Sequence, residues 1–215
     1  MFCRGRIPVL KKTFVIAIAG ASGSGKSSLA RQTKDQLGDW YKVAAVAEDD
    51  YYRSQTDLTM EQRQKTNYDH PDAIDETLLV EHLSLLKAGG NVDVPVYDYS
   101  IHDRSEEVKA VGPCEVLIVE GILLLHRQAI RDLVDLSVFV DVSEEICLQR
   151  RIRRDVAKRG RTRASVLAQY ESNVRPMYRE FVQPSKQHAE LVVTNEKPDE
   201  NPVDDVLAAL KAKLL

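Results

Sequence analysis

Short apolar runs alternate along this chain with segments of helical periodicity. The runs have the length and continuous apolar character of strands buried on both faces, and they occupy residues 14–19, 43–47, 116–119, 136–142 and 191–194. Apolar residues spaced three and four apart predict helices over about residues 26–37, 76–88, 143–158, 164–182 and 203–214. Residues 92–100 instead alternate between apolar and polar side chains, which predicts one arm of a β-hairpin with its return strand at 101–110.

The order of these elements indicates the fold class. Strands that alternate with helices form a parallel sheet covered by helices, so we expect an α/β fold with a five-stranded parallel sheet and a β-hairpin insertion at about 92–110. We expect one domain over residues 13–215, preceded by a tail at 1–12. Ligands of such sheets bind beyond the carboxyl ends of the strands, and the runs at 14–19, 43–47 and 116–119 are followed there by Gly20, Asp49 and Glu120.

Composition and charge exclude several classes of protein. The 215 residues carry a net charge of −3, whereas general nucleic-acid binders carry a strongly positive field. No stretch approaches the roughly 20 apolar residues that cross a bilayer, so we expect no membrane partner. Cys3, Cys114 and Cys147 form no C-x-x-C pair, which argues against a zinc site or a disulfide framework. Unpaired thiols are typical of a reducing cytosol, and we therefore expect a cytoplasmic protein.

The loop after the first strand has the pattern of a phosphate-binding loop. Residues 20–27 read G-A-S-G-S-G-K-S, which satisfies G-x-x-x-x-G-K-S/T in full. Glycines let successive backbone N–H groups surround phosphate oxygens, Lys26 can reach the β- and γ-phosphates, and the hydroxyl of Ser27 can bind Mg²⁺. A chance match in a Gly/Ser-rich turn is the alternative, but the buried strand before it and the helix after it favour a nucleotide site. The base-reading box of GTPases, N-K-x-D, is absent from the sequence.

Carboxylates follow the second and third core strands. Glu120 ends the run 116–119, where it could hold the water shell of a metal ion or simply face solvent. Asp49 and Asp50 follow the run 43–47, where a carboxylate could orient an attacking hydroxyl and accept its proton. Adjacent side chains of an extended chain point in opposite directions, so only one of the two acids could face the site, and spacing alone does not choose between them. Helix capping or solvation is the alternative for both.

A cluster of basic residues occupies the third predicted helix and the segment after it. On a helical wheel Leu148, Ile152 and Val156 share one arc and arginines cover the opposite side, and Asp155 is the only acid within residues 150–163. The cluster could be a solvated surface, or a mobile lid over about residues 150–163 whose guanidinium groups bind phosphates. Its members are Arg150, Arg151, Arg153, Arg154, Lys158, Arg159, Arg161 and Arg163.

Further motifs follow one another over about residues 14–192. The segment E-D-D-Y-Y-R at 48–53 is similar to Q-D-S-F/Y-Y-R/K, N-Y-D-H-P-D-A at 67–73 to N-F/Y-D-H-P-x-A, and P-V-Y-D-Y-S-I-H-D-R at 95–104 to P-x-Y-x-F/Y-x-x-H-x-R. They are followed by E-G-I-L at 120–123, the arginine-rich segment 151–161, Gln169-Tyr170 and Arg175-Pro176. In this combination, with the phosphate loop, the chain resembles the uridine kinase (uridine–cytidine kinase) family, bacterial type, of P-loop kinases.

The resemblance implies a role for each matching residue. Of the two adjacent acids, Asp49 aligns with the family's catalytic aspartate, and Lys26 acts with it in catalysis. The nucleoside would be bound by Asp49, by Asp69 and Arg151 at the ribose, by Tyr97 and His102 at the pyrimidine, and by Arg161 and Gln169. The nucleotide would be bound by Gly20, Ala21, Ser22, Gly23, Ser24, Gly25, Lys26, Ser27, Ser28, Arg154 and Arg159, and Mg²⁺ by Ser27 and Glu120. The resemblance also implies a homotetramer, whereas the arginine-rich lid helix is predicted from the basic cluster itself.

Three departures accompany the resemblance. Glu48 stands where the family usually has glutamine, which adds a negative charge beside the site. Residues 22–24 read S-G-S where bacterial members often have S-A-S. The family's P-R-G-G/A segment near the nucleotide's base is replaced by T-N-E-K-P-D-E-N at 194–201, so no role is carried over to these residues.

The activity implied by the resemblance is Mg²⁺-dependent transfer of the γ-phosphoryl group of ATP or GTP to the 5′-hydroxyl of uridine or cytidine, a reaction of pyrimidine salvage. A related kinase for another alcohol, such as a phosphoribulokinase-like enzyme, would need basic residues where Tyr97 and His102 stand. A non-catalytic nucleotide-binding regulator is a third hypothesis, and the intact set of Lys26, Ser27, Asp49 and Glu120 argues against it.

Overall fold

The computed structural model describes residues 12–197 and 199–214. Apart from Lys12, the tail predicted at 1–12 lies outside the described residues. The strands are β1 (Phe14–Gly20), β2 (Val43–Ala47), β3 (Val92–Asp98), β4 (Asp103–Val111), β5 (Val116–Gly121), β6 (Leu136–Asp141) and β7 (Leu191–Thr194). The α-helices are α1 (Lys26–Leu37), α2 (Met60–Lys65), α3 (Glu76–Lys87), α4 (Gln128–Arg131), α5 (Glu144–Lys158), α6 (Arg163–Gln169), α7 (Arg175–Met177), α8 (Gln183–Ser185) and α9 (Pro202–Leu214).

Five of the strands form a parallel sheet in the order β2-β5-β1-β6-β7. β1 lies at the centre, and residues 15–19 of this strand are fully buried. Because crossover helices cover both faces of a parallel sheet, its central strand carries apolar side chains at every position rather than at alternate ones. The predicted α/β fold with a five-stranded parallel sheet is confirmed.

Successive side chains of β1 enter two separate cores, one on each face of the sheet. Val15 packs in a cluster that includes Leu79 of α3, whereas Ile16 packs in a cluster that includes Leu29 of α1 and Val206 of α9. These two cores hold the carboxyl ends of β1, β2 and β5 side by side at one edge of the sheet. The sequence motifs that follow those strands are thereby brought together.

The predicted helix 164–182 is interrupted by two wider π-helical turns, at residues 170–174 and 178–182. A proline follows each of these turns, Pro176 and Pro184. A proline has no N–H to donate, and its ring displaces the carbonyl group four residues earlier, which lies in the preceding wide turn in both cases. Among the described residues, no helix combines the length and the hydrophobicity that a membrane span requires.

The predicted hairpin is confirmed as the antiparallel pair β3–β4, with a register irregularity between Pro95 and Tyr97. Arg104 on β4 donates from Nε to the carbonyl oxygen of Tyr52 at 2.7 Å, and its Nη2 lies 3.4 Å from Oδ2 of Asp75. These contacts fix the hairpin against the segment that follows β2, at the carboxyl edge of the sheet.

Candidate active site

The phosphate-binding loop joins β1 to α1. Gly23 and Gly25 have φ angles of 92° and 97°, a left-handed conformation that residues with a Cβ rarely adopt. A Cβ at Gly23 would lie 2.4 Å from the carbonyl oxygen of Cys147, so the loop also has no room for a side chain there. Helix α1 begins at Lys26 with no side-chain cap, which leaves its first N–H groups free to bind an anion. Lys26 is largely buried, with 9% of its surface exposed.

The segment after β7 is tied to this loop. The carbonyl oxygen of Ser24 accepts hydrogen bonds from Asn195 Nδ2 at 3.1 Å and from Arg150 Nη1 at 3.3 Å. Arg150 Nη2 also donates to the carbonyl oxygen of Asn195 at 2.7 Å. A cavity of about 280 Å³ lies between this segment and α1, and its polar lining includes Ser28, Gln32, Lys197 and Glu200. Residues 195–197, 200 and 201, to which the resemblance gives no role, therefore form one wall of a cavity beside the phosphate loop.

The two predicted metal ligands stand at the carboxyl edge of the sheet. Ser27 is exposed in the first turn of α1. Glu120 is half-buried near the end of β5, beside Ile18 of β1 and Ala47 of β2 in the strand register. Within residues 12–197 and 199–214, no group of three or more His, Cys, Asp or Glu side chains could hold a metal ion by itself. Two oxygen donors fit a Mg²⁺ ion that is bound jointly by protein, water and phosphates.

The two adjacent acids after β2 have different partners. Both lie in a 3₁₀ turn that begins directly after the strand. Asp49 accepts a hydrogen bond from the hydroxyl of Tyr99 on Oδ2 at 2.8 Å, and a longer one from the hydroxyl of Tyr52 on Oδ1 at 3.3 Å. Asp50 instead accepts from the backbone N–H of Tyr97, and burial raises the pKa of its carboxyl. The tertiary structure thus separates two residues that spacing alone could not distinguish.

Aromatic rings fill the space between the hairpin and the segment after β2. Tyr52 makes edge contacts with Tyr68 and Tyr97, each at a centroid distance of 5.0 Å, and Tyr68 stacks on His102 at 5.9 Å. Burial, together with the charges of two nearby arginines, lowers the pKa of His102. The imidazole is therefore neutral at pH 7, so one ring nitrogen can donate and the other can accept. Such a cleft suits a small planar ring with polar edges.

Four of the predicted nucleoside-binding residues are joined in one network. Arg151 Nη1 lies 4.0 Å from Asp69 Oδ1 and donates to Ser22 Oγ of the phosphate loop at 2.8 Å. Arg151 Nη2 donates to Gln169 Oε1 at 3.2 Å, and the same amide oxygen accepts from Arg161. Burial raises the pKa of Asp69, although the charge of Arg151 opposes the increase. The network connects the candidate ribose site to the phosphate loop.

Asp155 organises arginines of α5 and of the segment after it, a role that the sequence did not reveal. Its carboxylate is 0% exposed, and the guanidinium groups around it are those of Arg154 at 2.8 Å, Arg151 and Arg159 at 3.6 Å, and Arg161 at 3.9 Å. The buried residues of α5 are Cys147, Arg151 and Asp155, whereas Val156 is 45% exposed. The apolar arc of the sequence is therefore not the face that packs against the protein. In this structure Arg154 and Arg159, predicted to bind phosphates, are paired with Asp155.

Glu48, in the place of the family's glutamine, is 0% exposed and lies behind the site. Its Oε2 accepts a hydrogen bond from the backbone N–H of Leu123 at 2.8 Å, while Oε1 has no hydrogen-bond partner among the described residues. A Cβ at Gly121 would lie 2.2 Å from Oε2, so the glycine makes room for the carboxyl. Burial raises the pKa of Glu48 to about 7. The negative charge of Asp49 adds to this increase, and the positive charge of Arg127 opposes it. A protonated carboxyl here has the shape of the glutamine amide and, like the amide, can both donate and accept a hydrogen bond.

Comparison with known proteins identifies the family of this P-loop chain. The model of the "Phosphoribulokinase / Uridine kinase family" matches residues 15–200. The chain belongs to this family. Curated relatives include the uridine kinase of Escherichia coli, which is 48% identical over 204 residues, and that of Enterobacter sp., which is 46% identical over 204 residues; each alignment covers 93% of both chains. These matches make the chain a kinase of this family.

Solved structures of other kinases share the fold. D-glycerate 3-kinase from Cryptococcus neoformans matches with a TM-score of 0.64 and 20% identity over 89% of both chains. Phosphoribulokinase from Rhodobacter spheroides matches with a TM-score of 0.63 and 17% identity over 86% of this chain and 70% of that one. At this level of identity the likeness concerns the fold alone.

Several residues that line the site had no predicted role. Tyr52 and Tyr99 donate to Asp49, although the sequence offered only their position inside two motifs. Arg150 and Asn195 bind the phosphate loop, and no motif pointed to either contact. Contacts of this kind join distant parts of the chain and therefore appear only when the chain is folded.

Proposed function

We propose that this kinase transfers the γ-phosphoryl group of a nucleoside triphosphate, ATP or GTP, to the 5′-hydroxyl of uridine or cytidine, giving UMP or CMP. The observation that carries the proposal is the position of Asp49, between an aromatic cleft and the phosphate-loop side of the site. Its carboxylate accepts hydrogen bonds from two tyrosine hydroxyls. Its negative charge adds to the increase that burial causes in the pKa of Asp69, whereas the positive charge of Lys26 opposes that increase. The identity of 48% to a uridine kinase supports the choice of acceptor.

In the proposed reaction, Asp49 orients the 5′-hydroxyl and accepts its proton while the hydroxyl oxygen bonds to the γ-phosphorus. The bond between that phosphorus and the bridging oxygen of the donor breaks, and the nucleoside diphosphate leaves with those electrons. The N–H groups of the phosphate loop and Lys26 stabilise the charge on the phosphoryl oxygens. Ser27 and Glu120 would hold Mg²⁺, which would supply positive charge to the phosphates. Arg154 and Arg159 are proposed to contact the phosphates when the nucleotide is bound.

The acceptor is proposed to lie between the hairpin and the Asp69–Arg151 pair. A carboxylate can accept from two vicinal hydroxyls at once, which suits Asp69 to the 2′- and 3′-hydroxyls of a ribose. Arg151, with Arg161 and Gln169, would close the same pocket. Tyr97 and His102 would meet the pyrimidine, where the neutral imidazole can hydrogen-bond with O4 of uracil or N4 of cytosine. A sugar-phosphate acceptor would need basic residues at the two positions that are occupied here by Tyr97 and the neutral His102.

The proposal is tested by a coupled assay of nucleoside diphosphate release, with MgATP and then MgGTP as donor. The acceptors are uridine, cytidine, thymidine, adenosine and ribulose 5-phosphate. Turnover confined to uridine and cytidine is the expected result. Turnover with ribulose 5-phosphate alone, or with none of the five above the Lys26→Ala background, would overturn the choice of acceptor.

We further propose that the enzyme is a cytoplasmic homotetramer, which is what the family resemblance implies. Light scattering of the purified chain is expected to give four times the mass of 24.2 kDa. A monomer at micromolar concentration would contradict this proposal and leave the proposed reaction untouched.

A further inference from the structure

Tyr99 stands between the candidate catalytic carboxylate and the arginine cluster. It follows β3 in the turn of the hairpin, and the turn is fixed by Asp98, whose Oδ1 accepts from the N–H and the hydroxyl of Ser100 at 2.7 and 2.6 Å. The Tyr99 hydroxyl donates to Asp49 Oδ2 at 2.8 Å. On the face of the same ring lies the guanidinium of Arg159, 4.1 Å from the centroid. The Tyr99 side chain is 41% exposed, so these two contacts do not result from packing in the hydrophobic core.

We propose that Tyr99 is a positioning residue for phosphoryl transfer: its hydroxyl holds Oδ2 of Asp49 so that Oδ1 faces the acceptor hydroxyl, and its ring couples this arrangement to Arg159. The proposal rests on the proposed role of Asp49 as the proton acceptor. It does not depend on which alcohol is phosphorylated.

The two oxygens of Asp49 are held unequally. Oδ2 has the hydrogen bond from Tyr99 at 2.8 Å, whereas the bond from Tyr52 to Oδ1 is 3.3 Å long and correspondingly weak. An incoming hydroxyl can therefore displace Tyr52 from Oδ1 while Oδ2 remains fixed. Burial and the charge of Asp49 raise the pKa of Tyr99, so its hydroxyl stays protonated and remains a donor. The edge contact with Tyr97, at a centroid distance of 5.1 Å, fixes the ring that carries this hydroxyl.

The ring of Tyr99 also links the carboxylate to α5. Arg159 follows the last residue of α5 and precedes Gly160, whose φ of 62° turns the chain away from the helix. Its Nη1 is 3.6 Å from the buried Asp155, so the guanidinium is held between the arginine cluster and the tyrosine ring. A cation on an aromatic face is attracted to the ring while its N–H groups remain free to bind other partners. Movement of Arg159 towards a bound phosphate would therefore change its contact with the ring of Tyr99.

The first test is Tyr99→Phe, which removes the hydroxyl and keeps the ring. With the acceptor that the parent phosphorylates fastest, we expect kcat to fall about tenfold and KM for the acceptor to change less than about twofold. A tyrosine that merely shaped the pocket would instead change KM and leave kcat unaffected. The matched control is Tyr41→Phe, which removes a buried hydroxyl without a hydrogen-bond partner among the described residues and should leave both constants unchanged. Parent turnover in the same assay tests the proposed function, and the ratio of variant to parent tests Tyr99.

The second test is a double-mutant cycle of kcat/KM for the donor with Tyr99→Ala and Arg159→Ala. If the ring and the guanidinium act together, the fold loss of kcat/KM in the double variant should be at least about threefold smaller than the product of the losses in the two single variants. Independent, multiplicative effects would overturn the coupling. An unchanged kcat in Tyr99→Phe, or a higher one because the hydroxyl had blocked the acceptor's place, would overturn the positioning role.

Discussion

Replacement of Glu48 by glutamine is expected to remove a pH-dependent loss of stability. The Glu48 carboxyl is fully buried, accepts one N–H from Leu123, and has a second oxygen without a hydrogen-bond partner among the described residues. Burial raises its pKa from 4.5 to about 7 in the folded protein. Between these two pH values the carboxyl is ionised in the unfolded chain but protonated in the folded one, so the unfolded state binds fewer protons and stability falls as the pH rises.

The size of the effect follows from the two pKa values. A tenfold change in a proton-binding constant is worth about 1.4 kcal/mol, so the change from 4.5 to about 7 amounts to roughly 3 kcal/mol. The loss is absent below pH 4.5, develops between pH 4.5 and 7, and is constant above pH 7. Glutamine keeps the acceptor for Leu123 and cannot ionise, so the variant should not show the loss.

The assay is urea denaturation of parent and Glu48→Gln at several pH values between 4 and 8.5. The free energy of unfolding of the variant, relative to that of the parent, should rise by about 3 kcal/mol from pH 4 to pH 8. Any pH-independent effect of the substitution shifts all points equally and does not affect this comparison. Glu106→Gln, an exchange at an exposed position of the hairpin, is the control and should give a flat difference. A flat difference for Glu48→Gln, or one that favours the parent as the pH rises, would refute the reasoning.

Three further predictions follow from the site. Asp49→Ala should bind MgATP with the parent's Kd, measured by calorimetry, but lose at least about a thousandfold in kcat, and turnover comparable to the parent would contradict its role. Asp155→Asn should lower the free energy of unfolding by about 3 kcal/mol in urea denaturation, because four guanidinium groups lose their buried counter-charge; a loss below about 1 kcal/mol would mean that the arginines are stabilised by other contacts. Asn195→Ala, which removes a hydrogen bond to Ser24 of the phosphate loop, should raise KM for ATP several-fold while KM for uridine stays constant, and the reverse pattern would separate residues 194–201 from the donor site.

Local patterns accounted for the sheet and for most of the helices. The continuous apolar runs are strands because both faces of a parallel sheet are buried, and the run at Phe14 became the central strand β1. Helix α2 escaped prediction because it is short and has no buried residue, although Thr59 and Gln62 form a capping box at its start. The face of α5 was misjudged because a helical wheel assigns burial by polarity. Here the buried stripe contains Arg151 and Asp155, which satisfy each other's charge.

The fold class, the phosphate loop and the family could all be established before folding was considered, because each depends on residues that are close together in the chain or on motifs in a fixed order. The choice between Asp49 and Asp50 was available from the sequence only through resemblance. The folded chain gives it a physical basis, since Tyr99 on the hairpin reaches Asp49 and not its neighbour. Only the folded chain shows that Glu48 is buried and that, among the described residues, no charged side chain forms a hydrogen bond with it. The position of Asp155 among the arginines is likewise visible only in the folded chain. Burial and long-range pairing set the energy of a charged group, and neither can be read from the residues next to it in the chain.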